Sequence, residues 1–250
     1  MTQPNQLPSS NFKESSTLAA KVMVYVRDCI HSGAMHPDDW YSVYQLSEKL
    51  GISRSPVRDG LLRLEEAGVI EFVRNRGFRV IAPQPADVAD IFGIRIALES
   101  SAAARAARNQ NNELNSLRPL IEKMEEAARE GNEANFFSWD QELHDAILRA
   151  ANCIRSREML AKLRTHTKLL SDSTVREQRT MQHVLNEHQP IVEAILAGDS
   201  ESAEKAMTNH LTSTGRLLLL QNVAKTHPEL SEYPQKLEEL VDQIWDTYAS

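Results

Sequence analysis

The chain has little of what marks a secreted or membrane-embedded protein. It holds only two cysteines in 250 residues. Cys29 and Cys153 fall in different segments, so no disulfide framework is expected. No stretch of 18 apolar residues occurs, which excludes a spanning helix on hydropathy. The leucine run Leu217–Leu220 is far too short. The first 16 residues are polar, carry two prolines and lack the apolar core of a signal peptide. They read as a disordered arm, and a cytoplasmic protein with no membrane partner is expected. Positive charge is also scarce: 28 Lys and Arg stand against 35 Asp and Glu, a net charge of −7. That balance argues against broad affinity for polyanions.

What is present is ordinary for a soluble globular chain: 41% hydrophobic and 25% charged residues, at a length sufficient for two domains. The charge is unevenly placed. From Met1 to Ala82 there are 10 basic and 9 acidic residues, and from Lys49 to Val80 there are 7 basic against 4 acidic. A local positive strip on an acidic protein suits specific DNA binding.

The first third mixes helical and strand periods. Leu18, Val22, Val26, Cys29 and Ile30 form a helical stripe that Gly33 ends. Tyr44 to Leu50 reads as a short helix closed by Gly51. A second helix is expected to open at Ser55-Pro56, run to Ala67 and stop at Gly68. Its stripe is Val57, Leu61 and Leu64, and Gly60 inside it suggests close helix packing. Val69–Val73 and Phe78–Ile81 then alternate as strands around Arg74-Asn75-Arg76-Gly77. Helix, helix, turn, helix and hairpin make a winged helix-turn-helix. The expected fold is mainly α: a disordered arm over 1–16, a winged domain over 17–82, a linker over 83–85, an all-α bundle over 86–226 and an additional amphipathic helix in 227–250. Bundle helices are expected near 86–108, 112–130, 133–151, 154–175, 178–197 and 200–222. The tail stripe, Leu237, Leu240, Val241, Ile244, Trp245 and Tyr248, needs an apolar surface to cover. A partner subunit is the favoured one.

Four residues in the bundle could hold a metal. Asp140 and His144 are four apart and share a helix face. His188 and His210 lie 11 residues either side of Asp199, where Gly198-Asp199 breaks the pattern. In an antiparallel hairpin turning there, both fall at one height, roughly 16 Å from the turn. Three imidazoles and a carboxylate suit Zn, Ni, Fe or Mn. A helix-surface pair and two interface histidines are the plainer alternative. His31, His36, His166, His183 and His227 are isolated and read as ordinary.

The segment Gly51-Ile52-Ser53-Arg54-Ser55-Pro56-Val57-Arg58-Asp59-Gly60-Leu61, with Leu64-Glu65-Glu66-Ala67-Gly68 and the wing Arg76-Gly77-Phe78-Arg79-Val80, resembles the DNA-binding domain of the GntR family of bacterial transcription regulators. The remainder is similar to the ligand-sensing domain of that family's FadR branch: Arg95-x-x-Leu98-Glu99, Asp140-x-x-x-His144, Glu187-His188 with Gly198-Asp199, and Met207-x-x-His210. Two departures stand out. Val43 and Tyr44 occupy positions where the family usually carries glutamate then arginine, and Gly60 replaces an alanine.

The resemblance implies a homodimer on a near-palindromic double-stranded operator. Arg54 and Arg58 would read bases, since a guanidinium fork matches guanine O6 and N7. Ser53 and Ser55 would donate to phosphate, while Arg76 and Gly77 at the wing tip would approach the minor groove. It also implies one divalent metal per chain on Asp140, His144, His188 and His210, zinc first and Ni, Mn or Fe next. A small carboxylate effector would be anchored by Arg95, whose plainer role is an ion pair with Glu99. Effector binding would release the repressor from DNA. The rival class is a helical metalloenzyme, hydrolase-like, with the same Asp/His3 centre. Only Glu187 and Glu142 lie near enough in sequence to serve it as a general base.

Overall fold

The computed structural model describes residues 17–37, 39–81, 84–170, 175 and 179–249. The expected arm over 1–16, Pro83 of the linker and most of the join between 170 and 179 lie outside them. Contacts divide the chain into two compact units. One is Met1–Pro83 with Lys162–Asp172, and the other is Gln84–Ala161 with Ser173–Ser250. The second unit is therefore interrupted in sequence, where helix spacing suggested a single stretch.

In the first unit, α1 (Leu18–His31), α2 (Val43–Leu50) and α3 (Arg54–Glu66) precede the hairpin of β1 (Ile70–Val73) and β2 (Gly77–Val80). The strands pair antiparallel with Ile70 opposite Val80 and Val73 opposite Gly77. Val22, Val26, Cys29, Leu46, Val57, Leu61, Leu64 and Phe78 meet in one core. The stripes that share the helical period thus converge on a common apolar centre, as burial requires. At Gly60 a Cβ would lie 2.7 Å from the Ala19 carbonyl, so α1 crosses α3 at a distance that only glycine admits. One boundary differs from expectation. Ser53, not Ser55, is the residue before α3, and its hydroxyl makes no capping bond.

The second unit holds α4 (Pro85–Arg95), α5 (Ser101–Asn109), α6 (Leu117–Arg129), α7 (Glu133–Ala150), α9 (Met181–Ala197), α10 (Ser200–Thr226), α11 (Pro234–Tyr248) and the first half of α8 (Ile154–Leu170), whose residues from Lys162 on belong to the first unit. The helix expected over 86–108 is not uniform: Ile96–Ser100 is a π-helical turn between α4 and α5. The apolar pattern hid it, because a wide turn takes up one extra residue without breaking the helix. Asn112–Ser116 is likewise a 3-10 turn before α6. Asn132 caps α7 and Asp199 caps α10 through side-chain oxygens, while Gly198 closes α9 in the left-handed region. These caps satisfy helix-end groups that would otherwise lack partners. Helix α10 extends past the expected 222 and packs against α4, α5, α9 and α11.

Within the chain, the tail docks on its own bundle. Trp245 and Val241 are buried, and α11 lies on α4 and α10. Two glycines explain the fit. A Cβ on Gly215 would meet the Phe92 and Trp245 rings at 2.6 Å, and one on Gly93 would meet the Tyr248 carbonyl at 2.6 Å. Neither notch is visible as a hydrophobic position, which is why the stripe lacked an evident home in the sequence. Deleting residues 227–250 should therefore uncover Phe92 and the Gly215 face. The expected loss is about 3 kcal/mol, from roughly 25 cal/mol per Å2 of apolar surface. A melting curve with light scattering checks this: a lower midpoint at unchanged mass is expected, and an unchanged midpoint would show the tail to be idle.

Candidate metal centre and nucleic-acid interface

Helix α7 carries Asp140 and His144 one turn apart, α9 carries His188 and α10 carries His210. One potential ligand atom from each residue lies within 4.8 Å of those from the other three. The His188 and His210 rings are 4.2 Å apart, and His144 lies 5.3 Å and 5.4 Å from them. All three histidines are buried, and Asp140 is largely covered.

Each imidazole is held from behind by an oxygen. His144 Nδ1 faces Glu99 Oε2 at 2.6 Å, His188 Nδ1 faces the Val184 carbonyl at 2.8 Å, and His210 Nδ1 faces Glu187 Oε2 at 2.9 Å. Carbonyl and carboxylate oxygens accept, so each Nδ1 donates. The Nε2 lone pairs are left for the centre, where His188 Nε2 is 3.0 Å from Asp140 Oδ1 and 3.3 Å from His144 Nε2. These atoms are all acceptors in the neutral tautomers. Burial and the neighbouring His188 push the His210 imidazole down to about 3, although Glu187 opposes the shift. Burial works against the charged form of Asp140 too. The close contact with His188, with His144 and His210 beside it, outweighs burial and holds the carboxyl well below its ordinary range.

A divalent cation fits this donor set. Ligand atoms about 2.1 Å from one ion lie roughly 3.4–4.2 Å from one another, comparable with the spread of up to 4.8 Å among these four. Oriented Nδ1–H groups are also the usual support for metal-bound histidines.

Arg95 does not stand free to meet a ligand. It is buried, and its Nε donates to Glu99 Oε1 at 2.8 Å. Glu99 in turn holds His144, so Arg95 is tied to the cluster from behind. The π-helical turn carries Glu99 at this point.

Arg179, just before α9, was not singled out from sequence. It bonds Glu187 through Nη1 and Thr214 through Nη2. Its side chain is 8% exposed, and its buried Nε has no partner among the described residues. Burial lowers its pKa, against the pull of Glu187 and Asp140. An isolated arginine outside the periodic stripes gives no signal in sequence. Glu187 is saturated by His210, Arg179 and Ser213. Glu142 is held by Arg149. Neither is poised as a general base.

In the first unit, Ser53, Arg54, Ser55 and Arg58 are exposed at the start of α3, and Arg76 is exposed beside Gly77 on the wing. The acidic neighbours that could mask them are engaged elsewhere. Asp59 pairs with Arg63 at 3.1 Å, and Glu65 accepts the Phe72 N–H at 2.8 Å. Arg79 is the exception, paired with Glu71 at 2.8 Å. Aromatic rings sit against the guanidinium groups: Tyr44 under Arg54 at 4.8 Å, Phe72 near Arg58 at 5.9 Å, and Trp40 near Arg76 and Arg79 at 5.6 and 5.7 Å.

A winged unit offering arginines with no ion pair among the described residues, followed by a helical bundle, has the form of a DNA-binding regulator. The comparisons with known proteins agree. Residues 18–80 match the bacterial regulatory proteins of the gntR family, and residues 90–213 match the FCD domain. The chain is a transcription regulator of the GntR family, with the architecture of its FadR-type branch. It is 29% identical over 201 residues to the "Probable D-xylose utilization operon transcriptional repressor" of Paenarthrobacter nicotinovorans, covering 79% of this chain and 87% of that protein. It is 26% identical over 186 residues to the HTH-type transcriptional repressor RspR of Escherichia coli strain K12, covering 74% and 81%. The solved E. coli McbR/YncC shares the fold at a TM-score of 0.63 and 23% identity, covering 83% of this chain and 99% of that one. The protein is a regulator, not the helical hydrolase kept as the rival reading. Among the described residues no helix is long and apolar enough to cross a membrane.

Proposed function

We propose that the protein represses transcription as a homodimer on a near-palindromic operator and leaves it when a small carboxylate binds beside a metal in the second unit. Two-fold protein symmetry imposes two-fold symmetry on the DNA. In this reading Arg54 and Arg58 read bases, Ser53 and Ser55 hold phosphate, and Arg76 with Gly77 follows the minor groove. Asp140, His144, His188 and His210 hold one divalent ion, zinc first. When bound, it supplies a Lewis-acidic centre to which a carboxylate can coordinate. The observation that carries the metal reading is the proton arrangement: three buried imidazoles spend their Nδ1–H groups on outside oxygens and turn lone pairs toward a carboxylate.

The effector's anchor passes from Arg95 to Arg179. Arg95 is committed to Glu99. Arg179 keeps an unmatched buried Nε and senses Asp140 electrostatically. An unmatched buried donor is costly, and a ligand oxygen would relieve it. Arg95 then acts through Glu99 on the orientation of His144.

A gel shift with DNA from upstream of the protein's own gene tests the reading. Arg54→Ala and Arg58→Ala should each cost about 1–3 kcal/mol in specific binding. Small carboxylic acids that raise the melting midpoint of metal-loaded protein should weaken the shift, through a coupling of roughly 1–3 kcal/mol. Arg179→Gln should remove the effector response, whereas Arg95→Ala should lower metal content. Unimpaired binding by both α3 variants would sink the DNA-reading assignment. A full effector response from the Arg179 variant would remove it as anchor.

A further inference from the structure

Tyr44 occupies the second position of α2, where the family resemblance leads one to expect arginine, and half of it is exposed. That departure either loses a contact to DNA or replaces it by a tyrosine hydroxyl to phosphate. The structure gives the side chain different work. Its ring lies 4.8 Å beneath the Arg54 guanidinium, and Glu48, one helical turn on, pushes the pKa of its hydroxyl up. A hydroxyl beside a carboxylate is poorly placed to approach a phosphate, because the carboxylate repels the same negative charge. The ring is therefore the working part. Arg54 is the first residue of α3, exposed, with no ion pair to a carboxylate among the described residues. A long side chain in that position is otherwise free to sample many rotamers, and ordering it on binding costs entropy. An aromatic face restricts a guanidinium without occupying the N–H groups that bond to a base edge.

We propose that Tyr44 is a specificity-determining positioning residue: its ring orients the Arg54 guanidinium for two-pronged bonding to one guanine. The proposal rests on Arg54 being a base-reading residue. It replaces a second cation near the DNA by a platform, exchanging non-specific attraction for discrimination at one base pair. Water exclusion at the interface strengthens the stack, since a desolvated cation gains more from a ring face than a hydrated one.

The experiment begins with selection of a preferred site from a random 30-base-pair duplex library, using the full-length wild-type protein. Each base pair of that duplex is then changed singly, and competition binding is measured for wild type, Arg54→Ala, Tyr44→Ala, Tyr44→Phe and Tyr44→Arg. Arg54→Ala identifies the base pair that Arg54 reads, by flattening a preference on the order of tenfold or more there. Tyr44→Ala should lower discrimination at that same pair about fivefold, with the preference at the pair read by Arg58 intact. Tyr44→Phe should keep the wild-type preference. Tyr44→Arg should steepen the dependence of binding on salt by about one phosphate contact. Full discrimination in Tyr44→Ala overturns the proposal, as does an equal loss at every base pair. If Tyr44→Phe loses affinity evenly and its salt dependence flattens, the hydroxyl contacts phosphate and the proposal fails. If Arg54→Ala changes no preference, the underlying assignment of Arg54 has failed instead.

Discussion

Replacing His188 with alanine should strip the metal from the purified protein and lower its melting midpoint by about 10 °C. His188 is wholly buried and central: its Nε2 touches both Asp140 and His144, and its ring lies nearest His210. An ion that binds only the native state stabilises it in proportion to the logarithm of its saturation, about 4 kcal/mol at a thousandfold excess over Kd. For a chain of this size each kcal/mol moves the midpoint by roughly 2–4 °C. Elemental analysis of wild type, purified without chelator, should give about one divalent ion per chain. Chelated wild type and the variant should then melt closer together than loaded wild type and the variant. Wild type that carries no metal and takes none up would refute the centre. A variant that keeps a full complement would show that His188 is not a ligand.

The second large effect is expected at Gly77. Its φ is +101°, in a region that L side chains rarely enter, and an added Cβ would stand 2.1 Å from the Tyr41 carbonyl oxygen. That carbonyl cannot retreat easily. It accepts the Phe78 N–H at 2.9 Å, while the Tyr41 N–H donates to the Phe78 carbonyl at 2.8 Å. Phe78 itself is fully buried in the winged core. Gly77→Ala should cost about 3–5 kcal/mol, the sum of a strained backbone and a clash with backbone that has no slack. The folding of the winged unit should suffer first, and DNA binding with it. Urea unfolding followed by tryptophan fluorescence measures this through Trp40, which lies on the same unit. An unshifted midpoint would mean that the hairpin can open to take the methyl group. The sequence placed glycine here for its approach to DNA; the structure adds a reason inside the fold.

How much could be read from residues alone varies with the physics involved. The winged unit was legible because its stripes, its glycine stops and the change from helical to strand period all act locally. The pairing of His188 with His210 was legible as a height along a hairpin, since two residues equidistant from a turn are brought level by helix geometry. Glu99 was read only as a possible partner of Arg95. Its second bond, to His144 on another helix, is a long-range contact that no spacing encodes. The unmatched Nε of Arg179 was invisible for a similar reason: it depends on what surrounds the side chain. The direction of the tail depended on Gly93 and Gly215, where the signal is a missing side chain. A stripe announces that a surface is needed, whereas the recess that accepts it is written in residues too small to carry a pattern.

The π-helical turn at Ile96–Ser100 has a consequence for length variants of the chain. It houses one residue more than an α-helical turn can take. Deleting a single residue there would let the segment relax into unbroken α-helix, so helix content by circular dichroism would scarcely change. The rotation would be absorbed almost completely, because four residues of α-helix turn through nearly the same angle as five in the wide turn. Arg95, Phe92 and the Gly93 notch would keep their partners. A deletion within the regular α5 would instead swing everything before it by about 100° about the axis. The same loss of one residue is thus tolerable at Ile96–Ser100 and ruinous a turn later.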